Sequence, residues 1–101
     1  MIIIRKIKIL NPVAGKGDAL DYKDTNNDGF ETYISTGVGD AENFVYEETK
    51  KPGNFYIVVY GGDGTLNEVV NGIVRAGSND RVELSMVATG SGNDFIKNFS
   101  E

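Results

Sequence analysis

Residues 55–70 have the sequence FYIVVYGGDGTLNEVV, in which an apolar run, a glycine turn and a helical pattern follow one another. The run is apolar throughout, which is typical of a parallel strand covered on both faces. The glycines at 61, 62 and 64 allow a sharp turn and a close approach of the backbone to a ligand. The predicted buried face of the helix is formed by Leu66, Val69, Val70, Ile73 and Val74. These residues therefore predict a strand–turn–helix unit with a phosphate site at the helix N-terminus.

The rest of the chain continues this alternation of strands and helices. Further strands are predicted over residues 2–10, 30–35 and 82–87, and helices over 18–23, 41–50 and 94–99. A chain of 101 residues is expected to form one domain. The sequence thus predicts an α/β fold with a three-layer, mostly parallel, doubly wound sheet.

Four glycine-bearing turns, at residues 11–17, 37–39, 61–65 and 90–94, each follow a predicted strand. In a parallel sheet the carboxyl ends of the strands share one edge, where ligands bind. Each turn alone also fits a plain connection: Asp63 and Asp40 could cap helices, and Thr65 with Glu68 fits a capping box. The convergence of the turns on one edge favours a ligand site.

Three of these turns carry polar side chains suited to a phosphate ligand. Lys16 and the N–H groups around it could lie near phosphates, although the spacing is not that of a Walker A loop. Asn93 and Asp94 could face a nucleotide or a substrate, and Asp63 could meet a phosphate-bound Mg²⁺.

Composition excludes several functional classes. The chain has no Cys and no His, which rules out within it the usual zinc sites, thiol catalysis and Ser-His-Asp chemistry. A net charge of −5 argues against nucleic-acid binding. No signal peptide or membrane span is evident, so a cytoplasmic location is expected. Residues 24–29 resemble the front of an EF-hand calcium loop, but position twelve of that loop would be Ser35 and not the bidentate Glu. Residues 37–39 resemble the start of a dinucleotide fingerprint, but Glu42 replaces its third glycine.

Four segments carry a resemblance to a known family: NPVAGKG at 11–17, Thr36 with GDA at 39–41, GGDGTLNEVVNG at 61–72, and GSGNDF at 90–95. Together they resemble the diacylglycerol kinase catalytic domain family, which includes bacterial lipid kinases related to sphingosine kinases. The resemblance implies a NAD kinase/diacylglycerol kinase-like N-terminal domain that uses ATP and Mg²⁺ to phosphorylate the hydroxyl of a lipid such as diacylglycerol. It also allows peripheral membrane contact by the full-length protein.

The resemblance further implies a set of site residues. Those at the ATP site or facing its cleft would be Asn11, Lys16, Thr36, Gly62, Asp63, Gly64, Thr65, Ser91, Asn93 and Asp94. Asp63 would be the catalytic residue of the set, acting at the phosphates or as a ligand of Mg²⁺.

The chain also departs from the family pattern. The resemblance implies that residues 1–101 are an incomplete N-terminal nucleotide-binding domain. The β-sandwich domain that follows it in the family, with the general base and further metal ligands, is expected to be absent. The isolated chain is therefore expected to bind nucleotide weakly at best and to be inactive. The segment 17–30 is shorter than in the family, and neither the lipid nor the oligomeric state can be predicted.

Two other functions remain open at this point. NAD kinases share the GGDGT turn, although the segments at 11–17 and 91–95 favour a lipid kinase. A non-catalytic nucleotide-binding module would have the same turns without any phosphoryl transfer.

Overall fold

The computed structural model describes residues 3–11, 29–88 and 96–98, which form an α/β domain. Its strands and helices, in chain order, are β1 (Ile4–Leu10), β2 (Glu31–Ile34), α1 (Asp40–Thr49), β3 (Asn54–Gly61), α2 (Asp63–Ala76), β4 (Val82–Ala88) and β5 (Ile96–Asn98), with a 3₁₀ turn at Asn79–Arg81. The sheet order is β2-β1-β3-β4-β5. The first four strands pair in parallel and β5 pairs antiparallel with β4, which confirms the mostly parallel sheet.

The centre of the sheet is the pair β1 and β3. Ile7 lies opposite Ile57 and Ile9 opposite Val59, and all four side chains are fully buried. Branched aliphatic side chains suit such a sheet because they pack well on its pleated surface. This row of side chains forms the part of the hydrophobic core that the sheet contributes, and the helices pack against it.

Both helices pack on this face of the sheet and against each other. Ala41 and Val45 of α1 and Val69 and Ile73 of α2 join the same core cluster as the central strands. The helices approach closely at Gly72, where an added Cβ would lie 2.6 Å from the backbone oxygen of Glu42. The two helices therefore form one layer on one face of the sheet. The helix predicted over 18–23, needed for a third layer, lies outside the described residues.

The rotation of α2 differs from the sequence prediction. Val69 and Ile73 are buried as predicted, but Val70 and Val74 are 37% and 57% exposed. Thr65 and Gly72 occupy the buried face instead. The reason is the close contact with α1, since turning Gly72 toward α1 moves Val70 and Val74 toward the solvent.

The end of the described chain also differs from the prediction. A helix was predicted over 94–99, but residues 96–98 form β5, which pairs with Ser85–Val87 of β4. The prediction of a helix is therefore wrong for these three residues. Pairing along this edge satisfies backbone groups of β4 that an edge strand would leave unpaired.

Neither helix in the described residues has the length and apolar character needed to cross a membrane.

Candidate functional site

The carboxyl ends of β1, β2 and β3 meet at one edge of the sheet, as the sequence predicted. Asn11 follows β1, and its backbone N–H donates to the carbonyl of Tyr60 at 3.1 Å. Ser35 follows β2, and its N–H donates to the carbonyl of Leu10 at 2.8 Å. These bonds extend the ladder beyond the strands and hold the three connections side by side. The turn predicted at 90–94 lies outside the described residues.

A hydrogen bond joins the end of β1 to the start of α2. Asn11 Nδ2 donates to Thr65 Oγ1 at 2.8 Å, and Thr65 is 5% exposed. Gly61 lies directly beside this pair: an added Cβ there would be 3.1 Å from Thr65 Oγ1 and 3.5 Å from Asn11 Cβ. A glycine at the end of β3 therefore leaves room for the two side chains to meet.

A cleft of about 500 Å³ opens beside this hydrogen bond. Its walls come from the end of β1, from the end of β2 with the loop after it, and from the first turns of α2. The lining residues are Asn11, Ile34, Ser35, Thr36, Gly37, Val38, Thr65 and Glu68. Aliphatic and polar side chains together in a concave site are typical of small-molecule binding.

The loop between β2 and α1 is anchored by Asp40 at Thr36, its second residue. The carboxylate of Asp40 accepts a hydrogen bond from the backbone N–H of Thr36 at 2.8 Å and another from the Tyr33 hydroxyl at 2.7 Å. The Tyr33 ring in turn stacks on Phe44 with 3.8 Å between the ring centres. Thr36 is therefore held at the cleft through a side chain of α1.

These contacts change the acidity of both side chains. The hydrogen bond from Tyr33, with a further contribution from Thr36, holds the pKa of Asp40 below its ordinary value of 3.8. Burial, reinforced by the bond to Asp40, raises the pKa of the Tyr33 hydroxyl above 10.0. At neutral pH the pair is therefore a phenol bonded to a carboxylate.

The sequence predicted different partners for three side chains here. Asp40 was predicted to cap α1, but Gly39 is the N-cap and Asp40 is the first helical residue. Thr65 and Glu68 were predicted to form a capping box, but α2 begins at Asp63 after Gly62, and among the described residues no side chain caps it. Thr65 instead accepts from Asn11, and Glu68 Oε2 accepts from the N–H of Gly39 at 3.1 Å. Tertiary partners have replaced local ones.

The glycine turn places an open helix N-terminus at the same edge. Gly62 is the N-cap of α2 and is extended, with φ −108° and ψ −169°. The first intrahelical bond runs from Leu66 N to Gly62 O, so the N–H groups just before it have no partner inside the helix. Such groups, together with the helix dipole, favour an anion.

Asp63 is exposed in this first turn and does not line the cleft. Within residues 3–11, 29–88 and 96–98, no three acidic side chains gather closely enough to hold a metal ion. As an exposed carboxylate, Asp63 could contribute one ligand to a Mg²⁺ that arrives with phosphates and keeps several waters.

The structure thus brings together part of the predicted site. Asn11, Thr36 and Thr65 line one cleft, and Gly62, Asp63 and Gly64 lie at the turn beside it. The predicted site residues Lys16, Ser91, Asn93 and Asp94 lie outside the described residues.

Comparison with known proteins identifies the family. The family model of the diacylglycerol kinase catalytic domain matches residues 6–100. The chain belongs to this family. It is 37% identical over 97 residues to a protein of Streptococcus pneumoniae serotype 4 named as a lipid kinase, a match that covers 88% of this chain and 32% of that protein. It is also 40% identical over 57 residues to a protein of Shigella flexneri named as lipid kinase YegS, covering 56% of this chain and 19% of that protein.

A solved structure agrees with this assignment. The structure of a diacylglycerol kinase from Bacillus anthracis superposes with a TM-score of 0.64 at 28% identity, covering 90% of this chain and 35% of that one. This chain of the diacylglycerol kinase catalytic domain family therefore spans about a third of the length of the Streptococcus pneumoniae and Bacillus anthracis proteins.

Glu68 has a larger part in the site than its sequence pattern predicted. Glu68 was assigned mainly to a local cap, yet it lines the cleft and bonds to the loop before α1. The available signal was its spacing, because Glu68 lies one turn after Thr65 and so on the same side of α2.

Proposed function

We propose that this chain is the ATP-binding part of a lipid kinase, the enzyme type that transfers the γ-phosphoryl group of ATP to a lipid hydroxyl. The observation that carries the proposal is the cleft formed by Asn11, Thr36 and Thr65 beside the open N-terminus of α2. Membership of the diacylglycerol kinase catalytic domain family supports a lipid as the acceptor.

In this proposal the nucleotide lies across the sheet edge. Its phosphates approach the N–H groups that follow Gly62, where the helix dipole favours negative charge. Its remaining part fills the cleft between Thr36 and Thr65. Phosphoryl transfer depends mainly on such positioning and on electrostatic stabilisation, which suits a chain without Cys or His.

The transfer itself requires balanced bond changes. The lipid oxygen attacks the γ-phosphorus, the bond from that phosphorus to the β,γ-bridging oxygen breaks, and ADP leaves with the bridging oxygen. The hydroxyl proton passes to a base, which we place in a β-sandwich domain outside this chain. Asp63, in the first turn of α2, would hold a phosphate-bound Mg²⁺ or orient the phosphates. Such an ion would supply positive charge to balance that of the phosphate oxygens.

Nucleotide binding can be tested on the chain itself. Titration with Mg·ATP is expected to shift the backbone amide resonances of residues 61–65 and of Thr36, while those around Asp80, at the far end of the sheet, stay in place. No shift at millimolar Mg·ATP would contradict a site within this chain.

The acceptor can be tested on the protein expressed from its native reading frame. Labelled ATP offered with diacylglycerol, a long-chain base or NAD is expected to label a lipid, and Asp63→Asn is expected to lose that labelling. Labelling of NAD alone would identify an NAD kinase. No labelling of any acceptor, with nucleotide binding retained, would identify a non-catalytic module. Full activity of Asp63→Asn would remove the role assigned to Asp63.

A further inference from the structure

The N-terminus of α1 is capped by a residue of the other helix. Gly39, the N-cap, has φ +85° and no side chain to offer. Glu42 stands at the third helical position, from which a glutamate often bonds back to the N-cap N–H. Glu42 instead accepts from Arg75 Nη1 at 3.0 Å, and the N–H of Gly39 donates to Glu68 Oε2. The carboxylate that serves this helix end therefore belongs to α2.

This bond completes a two-ended attachment of the loop Thr36–Gly39. Asp40 accepts from the N–H of Thr36 at 2.8 Å at one end, and Glu68 accepts from the N–H of Gly39 at 3.1 Å at the other. Both acceptors carry a negative charge beside the N-terminus of α1, where the helix dipole strengthens them. Three residues that line the cleft lie in the segment held by these two hydrogen bonds: Thr36 makes the first bond, and Gly37 and Val38 lie between the two.

The attachment also links the loop to the glycine turn. Thr65 and Glu68 are one helical turn apart on α2; the first bonds to Asn11 after β1 and the second to Gly39 after β2. The opening turns of α2 therefore set the positions of two walls of the cleft. A shift of α2 at the phosphate end would be passed to the loop through Glu68.

We propose that Glu68 is a positioning residue for the nucleotide, acting through the N–H of Gly39. It holds the loop Thr36–Gly39 in its binding geometry before the nucleotide arrives, without bonding to the nucleotide. This inference rests on the proposed nucleotide site. A loop that is already ordered loses less conformational freedom on binding, so the attachment contributes to affinity. It leaves the rate of the chemical step largely unchanged.

Two substitutions separate the hydrogen bond from the charge. Glu68→Ala removes the acceptor and is expected to weaken Mg·ATP binding about tenfold, because the loop must then be ordered on binding. Glu68→Gln keeps an amide oxygen at the same place and is expected to bind within about twofold of the wild type. Glu42→Ala is the matched control, since it removes the other carboxylate contact between the helices without touching the cleft.

The experiment measures two quantities on the same samples. Amide hydrogen exchange of Gly39 without nucleotide reports the attachment, and the dissociation constant of Mg·ATP reports its consequence. We expect fast exchange of Gly39 only in Glu68→Ala, together with the loss of affinity. In the native protein, KM for ATP should rise in Glu68→Ala while kcat changes little.

The outcomes that overturn the inference are distinct. Unchanged affinity in Glu68→Ala excludes the positioning role. Weak binding with Gly39 still protected would mean that Glu68 contacts the nucleotide itself. Equal losses in Glu68→Gln and Glu68→Ala would mean that the charge, not the hydrogen bond, is required. If the wild type binds no nucleotide, it is the proposed function that fails, and Gly39 exchange still shows whether the attachment exists.

Discussion

Asn11 and Thr65 lie 54 positions apart in the sequence, and their side chains are joined by a hydrogen bond of 2.8 Å. The bond connects the residue after the first strand with the first turn of α2. Thr65 is almost fully buried, so its hydroxyl needs a partner within the protein. The same two residues line the cleft, and their bond therefore contributes both to stability and to the shape of the site.

A double-mutant cycle can measure this bond. Asn11→Ala and Thr65→Val are each expected to lower the free energy of unfolding by about 1–2 kcal/mol, and together by less than the sum, with a coupling of about 1 kcal/mol. Urea unfolding of the four proteins gives the coupling. Thr32→Val, on the exposed part of β2, is the control and should leave stability within about 0.5 kcal/mol. Strict additivity would show that the two side chains do not interact.

Much of the fold could be predicted because its signals are local. The apolar run at 55–60 and the helical spacing from Leu66 predicted β3 and α2 to within about three residues at each start. The alternation of strands and helices predicted the parallel sheet. The face of α2 that is buried could not be predicted in this way. It depends on Gly72 meeting the backbone of α1, a contact between segments that the periodicity of one helix does not contain.

The site likewise has residues that could be predicted from the sequence and contacts that could not. Asn11, Thr36 and Thr65 could be selected from the family resemblance, since each belongs to a segment that resembles the family. Their partners could not. Thr65 and Glu68 match a capping box in sequence. Only the packing of β1, α1 and α2 shows that the Thr65 hydroxyl accepts from Asn11 and that the Glu68 carboxylate accepts from Gly39.

The exposure of Val74 leads to a test of the rotation of α2. Val74→Lys is expected to change the free energy of unfolding by no more than about 0.5 kcal/mol, because the side chain is 57% exposed. Ile73→Ala, one residue earlier and 7% exposed, is expected to cost about 2–4 kcal/mol. Chemical denaturation of both variants decides the matter. A large loss of stability in Val74→Lys would instead support the buried face of α2 that the periodicity predicted.

The contact at Gly72 leads to a second prediction of stability. Gly72→Ala would place its Cβ 2.6 Å from the Glu42 carbonyl oxygen and 2.9 Å from Val45 Cβ, so the helices must move apart. We expect a loss of about 1–3 kcal/mol, although alanine is the better helix former by about 1 kcal/mol. Gly64→Ala in the same helix is the control, since it meets nothing within 4 Å. Equal thermal stability of the two variants would contradict the close approach.

The Tyr33–Asp40 pair leads to a pH-dependent prediction. Because folding lowers the pKa of Asp40, the pair contributes stability that is present above pH 3.8 and is lost as the pH falls through the lower, folded value. Tyr33→Phe removes the hydroxyl and is expected to reduce this loss of stability at acidic pH. The raised pKa of Tyr33 acts in the opposite range: its contribution is present below pH 10.0 and is lost as the pH rises through the folded value.

Urea unfolding at a series of pH values checks both limbs of this dependence. Tyr46→Phe, whose ring lies under Arg75 and away from Asp40, is the control and should keep the acidic loss of the wild type. An acidic limb that is identical in Tyr33→Phe and the wild type would show that the phenol does not stabilise the Asp40 carboxylate.

Arg5 leads to a prediction that separates stability from binding. Its guanidinium forms two bonds to Glu31, of 2.9 and 2.7 Å, and a third to Glu48 at 2.9 Å, and it lies 5.7 Å from the centre of the Phe55 ring. It thus joins β1, β2 and α1 near the start of β1, at the end of the sheet away from the cleft. The hydrogen bond from Arg5 holds the pKa of Glu31 below its ordinary value.

Arg5→Lys keeps the charge but cannot form the paired bonds to Glu31, and it is expected to lower the free energy of unfolding by about 1 kcal/mol. The loss should shrink in high salt, which screens the partly exposed wild-type ion pairs. Lys50→Ala, which removes an exposed pair with Glu47, is the control and should cause no measurable loss. Amide shifts induced by Mg·ATP at residues 61–65 should be the same in Arg5→Lys and the wild type, because the network lies at the opposite edge. A change in those shifts would show that the two edges of the sheet are coupled.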